Sequence, residues 1–340
     1  MTSRDIENKI HSASRMTVQF QATQEQYAFL QEWAASIPAV YFLDICAVNV
    51  TKCSSEAIER DERKENLINY LRNLDKPQHA FSYLLALVEK VSDPQGKLSD
   101  AELEEQVLCD VAALRTFLKN ARVIEADEFL VGYLRSLRGN PHELKRPNYL
   151  KFLEAANNRF RLQNTVSPIR RLKRAKEILK VADELSILRQ HPVVLLVLAC
   201  LYGNISAKKV MKFKADAEAF NAENALADIM IISRFLPRKL EIEYYGRLGR
   251  SEYLRSEFIT DDGGLQGIFR CFEARAVSFE EKDGAHQTRI DIGVNFEELL
   301  TDLASTRQHR PQEMGESTNR KPDEFQQVCE LLLQASGSSS

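Results

Sequence analysis

Ala39-Val40-Tyr41-Phe42-Leu43-Asp44 is the stretch on which the reading of this chain turns. Five apolar residues rich in β-formers, with no polar residue alternating among them, predict a short strand covered on both faces, as in a parallel sheet. Pro38 stands before the strand and closes a predicted helix. That helix opens on the capping box Thr23-Gln24-Glu25-Gln26 and repeats Tyr27, Leu30, Trp33 and Ile37 at helical spacing, with Trp33 read as core. Asp44 follows the strand directly. A charge there is either the N-cap of a following helix or a site residue, because ligands of open parallel sheets bind at the carboxyl ends of the strands.

Helical periodicity dominates from the strand to about residue 236. It predicts helices over 56–73, 78–92, 99–119, 125–138, 147–162, 168–188, 192–203, 206–218 and 221–236. Asp93-Pro94-Gln95-Gly96 and Gly139-Asn140-Pro141 are turn signals between them. Later, 239–245 and 256–260 read as extended, and 273–281 with 286–294 as a hairpin turning at Lys282-Asp283-Gly284-Ala285. A polar stretch, 305–322, precedes a terminal helix at 323–335, and Gly337 to Ser340 is expected to be disordered. The predicted class is α/β: a small parallel sheet flanked by helices and interrupted by a mainly helical insertion. An all-helical bundle is the competing architecture.

Charge and composition remove several classes of function. The 340 residues carry 46 Lys+Arg against 49 Asp+Glu, a net of −3, so nucleic-acid binding would need a local patch. The longest apolar run, Val193 to Tyr202, is too short to span a bilayer, and no signal-peptide pattern opens the chain. Six scattered cysteines form no C-x-x-C pair, which argues against structural zinc and against a disulfide framework. A soluble protein of the reducing cytoplasm is the expectation. P-loop, dinucleotide, H-E-x-x-H and G-x-S-x-G motifs are missing. His191, before Pro192, reads as a helix cap.

Three more acidic positions stand out. Glu89 borders the apolar stripe of its predicted helix, and Glu102, Glu104 and Glu105 are alternatives for its role. Asn221, Asn224 and Asp228 share one face of an otherwise apolar helix, and such a stripe needs partners, water or a metal. Finally, Phe258-Ile259-Thr260-Asp261-Asp262-Gly263-Gly264-Leu265 runs from a strand into an acidic turn with a glycine pair.

The order strand–Asp44, helix–Glu89, helix–Asp228, strand–Thr260-x-Asp262 resembles the PIN-domain family of metal-dependent nucleases. Phe42-Leu43-Asp44, Asn224-Ala225-Leu226-Ala227-Asp228-Ile229 and Phe258 to Leu265 carry the resemblance. It covers 38–92 and 220–295, and implies a PIN-like domain in two parts. These are 1–92 and 220–304, with 93–219 as helical insertion and 305–340 as polar linker and tail. The family usually has Thr or Ser after the first Asp, and then Asn or Ser; this chain has Ile45-Cys46.

The resemblance implies a Mg²⁺- or Mn²⁺-dependent nuclease acting on RNA, with a toxin, defence or RNA-processing role. Hydrolysis of a phosphodiester needs an activated water and a counter-charge, which hard divalent ions on carboxylate oxygens supply. Asp44, Asp228 and Asp262 are the expected metal ligands. Glu89 would be a ligand or a water-orienting base, and Thr260 would position Asp262 or the water. The competing functions are a helical protein-interaction scaffold with an inactive PIN-like half and a structure-specific DNA nuclease. A protein partner or a homo-oligomer is compatible with either. A basic strip at 159–180, with Arg170, Arg171, Lys173 and Arg174 at its centre, is the candidate nucleic-acid contact. Its simpler interpretation is a solvated helix face pinned by Ile169, Leu172 and Leu179. Lys208, Lys209, Lys212 and Lys214 form a second basic group.

Overall fold

The computed structural model describes residues 23–92, 98–138, 143, 145–282, 285–308 and 323–334. The chain divides into two compact units at Ile37/Pro38. In the first, α1 (Gln24–Ser36) has the expected capping box: the Thr23 hydroxyl accepts from the Gln26 N–H at 3.2 Å, and Gln26 Oε1 accepts from the Thr23 N–H at 3.0 Å. Trp33 is 58% exposed and Tyr27, Phe29 and Leu30 are exposed beside it, so the reading of Trp33 as core is corrected.

From Pro38 the chain runs through β1 (Ala39–Leu43), α2 (Ile45–Val50), α3 (Ser55–Glu59), α4 (Glu62–Leu74), β2 (Ala80–Ser82), α5 (Leu84–Ser92), α6 (Asp100–Phe117), β3 (Arg122–Val123) and α7 (Asp127–Leu137). Five helices follow: α8 (Arg146–Asn158), α9 (Pro168–Glu184), α10 (Pro192–Leu201), α11 (Ile205–Met211) and α12 (Ala222–Arg247). The chain then enters β4 (Arg255–Ile259) and α13 (Gly263–Phe269). It continues into β5 (Phe272–Lys282) and β6 (Ala285–Val294), followed by α14 (Phe296–Leu299), α15 (Thr301–Gln308) and α16 (Glu324–Leu333).

The four-stranded sheet has the order β3-β2-β1-β4 and every pairing in it is parallel. As expected of a strand between two layers, all five residues of β1 are buried. Val40 and Phe42 join a core with α8 to α13, whereas Ala39, Tyr41 and Leu43 join one with α2, α4, α6 and α7. Helix α10 lies within the first core with nine of its residues buried, so its run of apolar residues is core helix. Among the described residues no single helix is long and apolar enough to cross a membrane. Strand β3 and the core residues Val107, Leu114 and Leu130 come from within 93–219, so that segment contributes to the sheet as well as to the helical layer.

Three local expectations are corrected. Residues 80–82 are strand, not the start of a helix: all three are buried and pair with β1. Residues 239–245 are helical, because α12 continues past Pro237 to Arg247. What holds its second half is a double clamp on β4: Lys239 Nζ donates to the Ser256 carbonyl at 2.8 Å, and Glu243 Oε1 accepts from the Ser256 N–H at 3.1 Å. Helix α11 stops at Met211 rather than reaching 218, because Lys212 turns left-handed at φ 51°, ψ 35°. The hairpin falls where expected, with Phe272 opposite Val294. Its central Asp283-Gly284 and the tail Gly337–Ser340 lie outside the described residues.

A close approach near the end of α12 gives a direct test. A Cβ on Gly246 would collide with the backbone carbonyl of Tyr253, which cannot rotate away. Alanine normally gains roughly 0.5–1 kcal/mol over glycine inside a helix. Here overpacking should dominate, and Gly246→Ala should lower the urea unfolding free energy by about 1–3 kcal/mol. A neutral or stabilised variant would mean that the contact yields.

Candidate active site

A topological switch point lies between β1 and β4: from β1 the chain proceeds to β2 on one side, and β4 returns on the other. Crevices at the carboxyl ends of such strand pairs are where open parallel sheets bind ligands. The pairing is in register to its end, with Leu43 opposite Ile259, and the Asp44 N–H extends the ladder to the Ile259 carbonyl at 3.1 Å. Asp44 and Thr260 therefore leave the sheet side by side.

Asp44 is a helix cap placed at the mouth of this crevice. Its Oδ1 caps α2 by accepting from the Ala47 N–H at 2.7 Å, and its carboxylate also meets the Thr260 hydroxyl. That hydroxyl accepts from the Asp262 N–H at 2.9 Å, so Thr260 ties β1 to the turn after β4. Asp262 caps α13 with Oδ1, accepting from Gly264 at 2.7 Å and Leu265 at 3.0 Å. Asp261 points elsewhere, paired with Arg63 at 3.0 Å. Of the alternatives to Glu89, Glu102 closes the capping box of α6 and Glu104 pairs with Arg135. Glu89 itself reaches α2, its Oε2 accepting from the Ile45 N–H at 3.2 Å.

Asp228 enters from α12. Its Oδ2 lies 3.2 Å from Lys212 Nζ, which is also 4.0 Å from Asp262 Oδ2. With Asn221, Asn224 and Glu89 it lines a cavity of about 350 Å³. The polar stripe on α12 faces this cavity, with Asn221 also capping the helix through the Asn224 N–H at 3.0 Å.

Electrostatics link the four acids. Burial, and then the Asp44 charge, pushes the Glu89 carboxyl up to about 7; the nearby Asp228 charge adds to this and Arg234 opposes it. Burial pushes Asp44 up to about 6 despite the hydrogen bonds from Thr260 and Ala47, and the charges of Asp261 and Asp262 add to the rise. Asp228 is raised by burial and by Asp262, against the pull of Lys212. Among the described residues, no group of three or more His, Cys, Asp or Glu is arranged so that it could hold a metal ion as it stands. The donors are all hard oxygens, the chemistry Mg²⁺ and Mn²⁺ prefer.

Two cations belong to this site that the sequence did not single out as site residues. Lys212 was visible only as one of a basic group, since a left-handed lysine leaves no signature in sequence. Arg234 is paired with Glu143, which also meets Arg146 at 3.4 Å. Their grouping depends on tertiary packing between α8 and α12.

Residues 168–180 of the basic strip lie on α9, whose main packing partners are α8, α10 and α16. Arg170 and Lys173 are exposed. Arg171 pairs with Asp302 at 2.9 Å and donates to the Val166 carbonyl, and Arg174 lies over the Phe160 ring. Ile169 is 95% exposed, so it does not pin this helix as expected; Leu179 does. His191 caps α10 as expected, accepting from the Val193 N–H at 3.2 Å. No family model, curated protein or solved structure matches the chain.

These shifted carboxyls predict how stability responds to pH. Asp44 and Glu89 hold protons in the folded state at pH values where the unfolded chain has released them. Their contribution to stability is therefore fully present below about pH 4 and is lost as pH rises through about 6 to 7. Urea unfolding in EDTA should track that fall between pH 4 and 8. Asp44→Asn keeps an oxygen for the cap and should flatten the slope, gaining about 1–3 kcal/mol at pH 8. A slope identical to that of the unchanged protein would remove Asp44 from the coupled cluster.

Proposed function

We propose that the chain is a PIN-like, divalent-metal-dependent nuclease that hydrolyses phosphodiester bonds in RNA. What supports this reading is the chain of electrostatic influence from Glu89 to Asp44 and Asp228, and from both of these to Asp262, with three of the four carboxyls held above the ordinary range. Crowded buried carboxylates call for a cation. The family resemblance supplies the preference for RNA and the order of the acids along the chain.

Asp44, Asp228 and Asp262 would hold Mg²⁺ or Mn²⁺, with Glu89 as a further ligand or as the group that orients the attacking water. A bound divalent ion supplies an activated water near neutral pH and a counter-charge for the phosphate. Thr260 acts on both sides of the crevice, keeping the Asp44 carboxylate and the Asp262 turn at fixed separation through its hydroxyl. The second glycine after Asp262 keeps α13 close: a Cβ on Gly264 would come within 3.0 Å of Lys209 Cβ. Exposed Lys209, whose Cβ lies beside Gly264, suits a polyanionic substrate held by local charge. We assign the protein to the cytoplasm on its cysteine usage.

A second reading, an interaction scaffold with an inactive PIN-like half, draws on Lys212. Its ammonium lies where a catalytic cation would be needed. The exposed apolar face of α1 offers such a scaffold a contact surface.

Cleavage of a labelled single-stranded RNA pool separates the two. The nuclease reading expects Mn²⁺- or Mg²⁺-dependent cutting that EDTA abolishes. Asp228→Asn should slow it by about 100-fold or more, with each tenfold costing about 1.4 kcal/mol of barrier. An Asp228→Asn protein that cuts as fast as the unchanged one would leave the activity, if any, outside this crevice.

For the basic strip, the exposed pair Arg170 and Lys173 is the informative change, since Arg171 and Arg174 are engaged within the fold. If both contact phosphates, the double alanine variant should flatten the salt dependence of RNA binding by roughly 1.4 log units per log unit of salt. An unchanged slope would make α9 an ordinary solvated helix.

A further inference from the structure

We infer that Lys212 is the crevice's internal cation, which competes with a divalent ion for Asp228 and Asp262 and so sets the site's metal affinity. This inference rests on the nuclease reading for the identity of the competing ion. Two independent observations carry it. The first is contact: Lys212 Nζ is 3.2 Å from Asp228 Oδ2 and 4.0 Å from Asp262 Oδ2, joining acids from α12 and from the turn after β4. The second is backbone: Lys212 is one of three non-glycine residues with positive φ among the described residues, at the point where α11 ends. Glycine or asparagine ordinarily takes that position, and a residue with a Cβ is held there at a cost in backbone energy. The left-handed residue that ends α11 is thus the same residue whose ammonium meets the two acids.

The consequence is competition by mass action. An ammonium tethered in the chain has an effective concentration in the millimolar range at its partners. A divalent ion entering the crevice must displace it, and the site therefore loads only when the ion is abundant enough to win. Lys212 is about half exposed, so its side chain has solvent to move into when displaced. The freed ammonium then stands beside the crevice, where a substrate phosphate would lie.

The test uses the full chain and Mn²⁺ alone as the probe, followed by calorimetric titration and by thermal shift. Lys212→Gln removes the charge, and Lys212→Gly removes it while also relieving the backbone, so a folded variant is secured. Both should bind Mn²⁺ roughly tenfold more tightly than the unchanged protein. In EDTA at pH 8, Lys212→Gln should unfold at lower temperature, and adding Mn²⁺ should close that gap. Equal Mn²⁺ affinity in all three proteins would overturn the role of Lys212 while leaving the metal site and the nuclease reading standing. Mn²⁺ binding by none of them would overturn both.

Discussion

Parallel pairing of β1 with β4 is the constraint on which the rest of the molecule depends. Five consecutive partners, from Ala39 with Arg255 to Leu43 with Ile259, join segments that lie far apart in sequence. The register cannot slip by one residue without turning Val40 and Phe42 out of one core and Tyr41 and Leu43 out of the other. Because the register is held from both faces, the residues just beyond the strand ends meet with little freedom. Asp44 and Thr260 hydrogen-bond for that reason, and α2 and α13 both start at this edge.

The same edge carries a conflict between folding and charge. Caps at α2 and α13 favour acidic residues, since Asp44 and Asp262 satisfy backbone N–H groups that would otherwise lack partners. Each such cap is worth about 1 kcal/mol. Burying these carboxylates near Glu89 and Asp228 works against that gain and raises three of the four. The fold retains its acids at this cost, offset in part by two cations, Lys212 on Asp228 and Arg234 through its charge on Glu89. A fold selected for stability alone would have had simpler solutions, serine at each cap among them.

What could be read in sequence followed from how local each signal is. Strand β1 was legible because five buried residues in a row leave few alternatives, and the hairpin because its pairing is sequential. Strands β2 and β3 have three and two residues, too short for any period, and owe their existence to neighbours in the sheet. Proline in a helix interior removes a hydrogen bond and usually breaks the helix, yet α12 runs on past Pro237, where Lys239 and Glu243 clamp it onto β4. In the crevice, the acids were legible as motif ends, whereas Lys212 was not, because its place depends on a single left-handed residue. Trp33 failed for another reason. Helical spacing reports that a helix has an apolar face, and says nothing of what covers it.

The crossover between the halves of the sheet also governs how the protein comes into being. During synthesis, β1, β2 and β3 emerge first and can collapse with α2 to α7, but the β1 edge stays open until β4 follows. Non-local parallel pairings of this kind form late. A nascent chain therefore carries Asp44 and Glu89 on an incomplete scaffold while α8 to α12 are still being made. An exposed β1 edge is an invitation to wrong pairing until β4 pairs with it. The crevice closes only when the strand after α12 docks. A chain cut short before β4 lacks it altogether, and any chemistry it performs is withheld until the ribosome has passed Asp262.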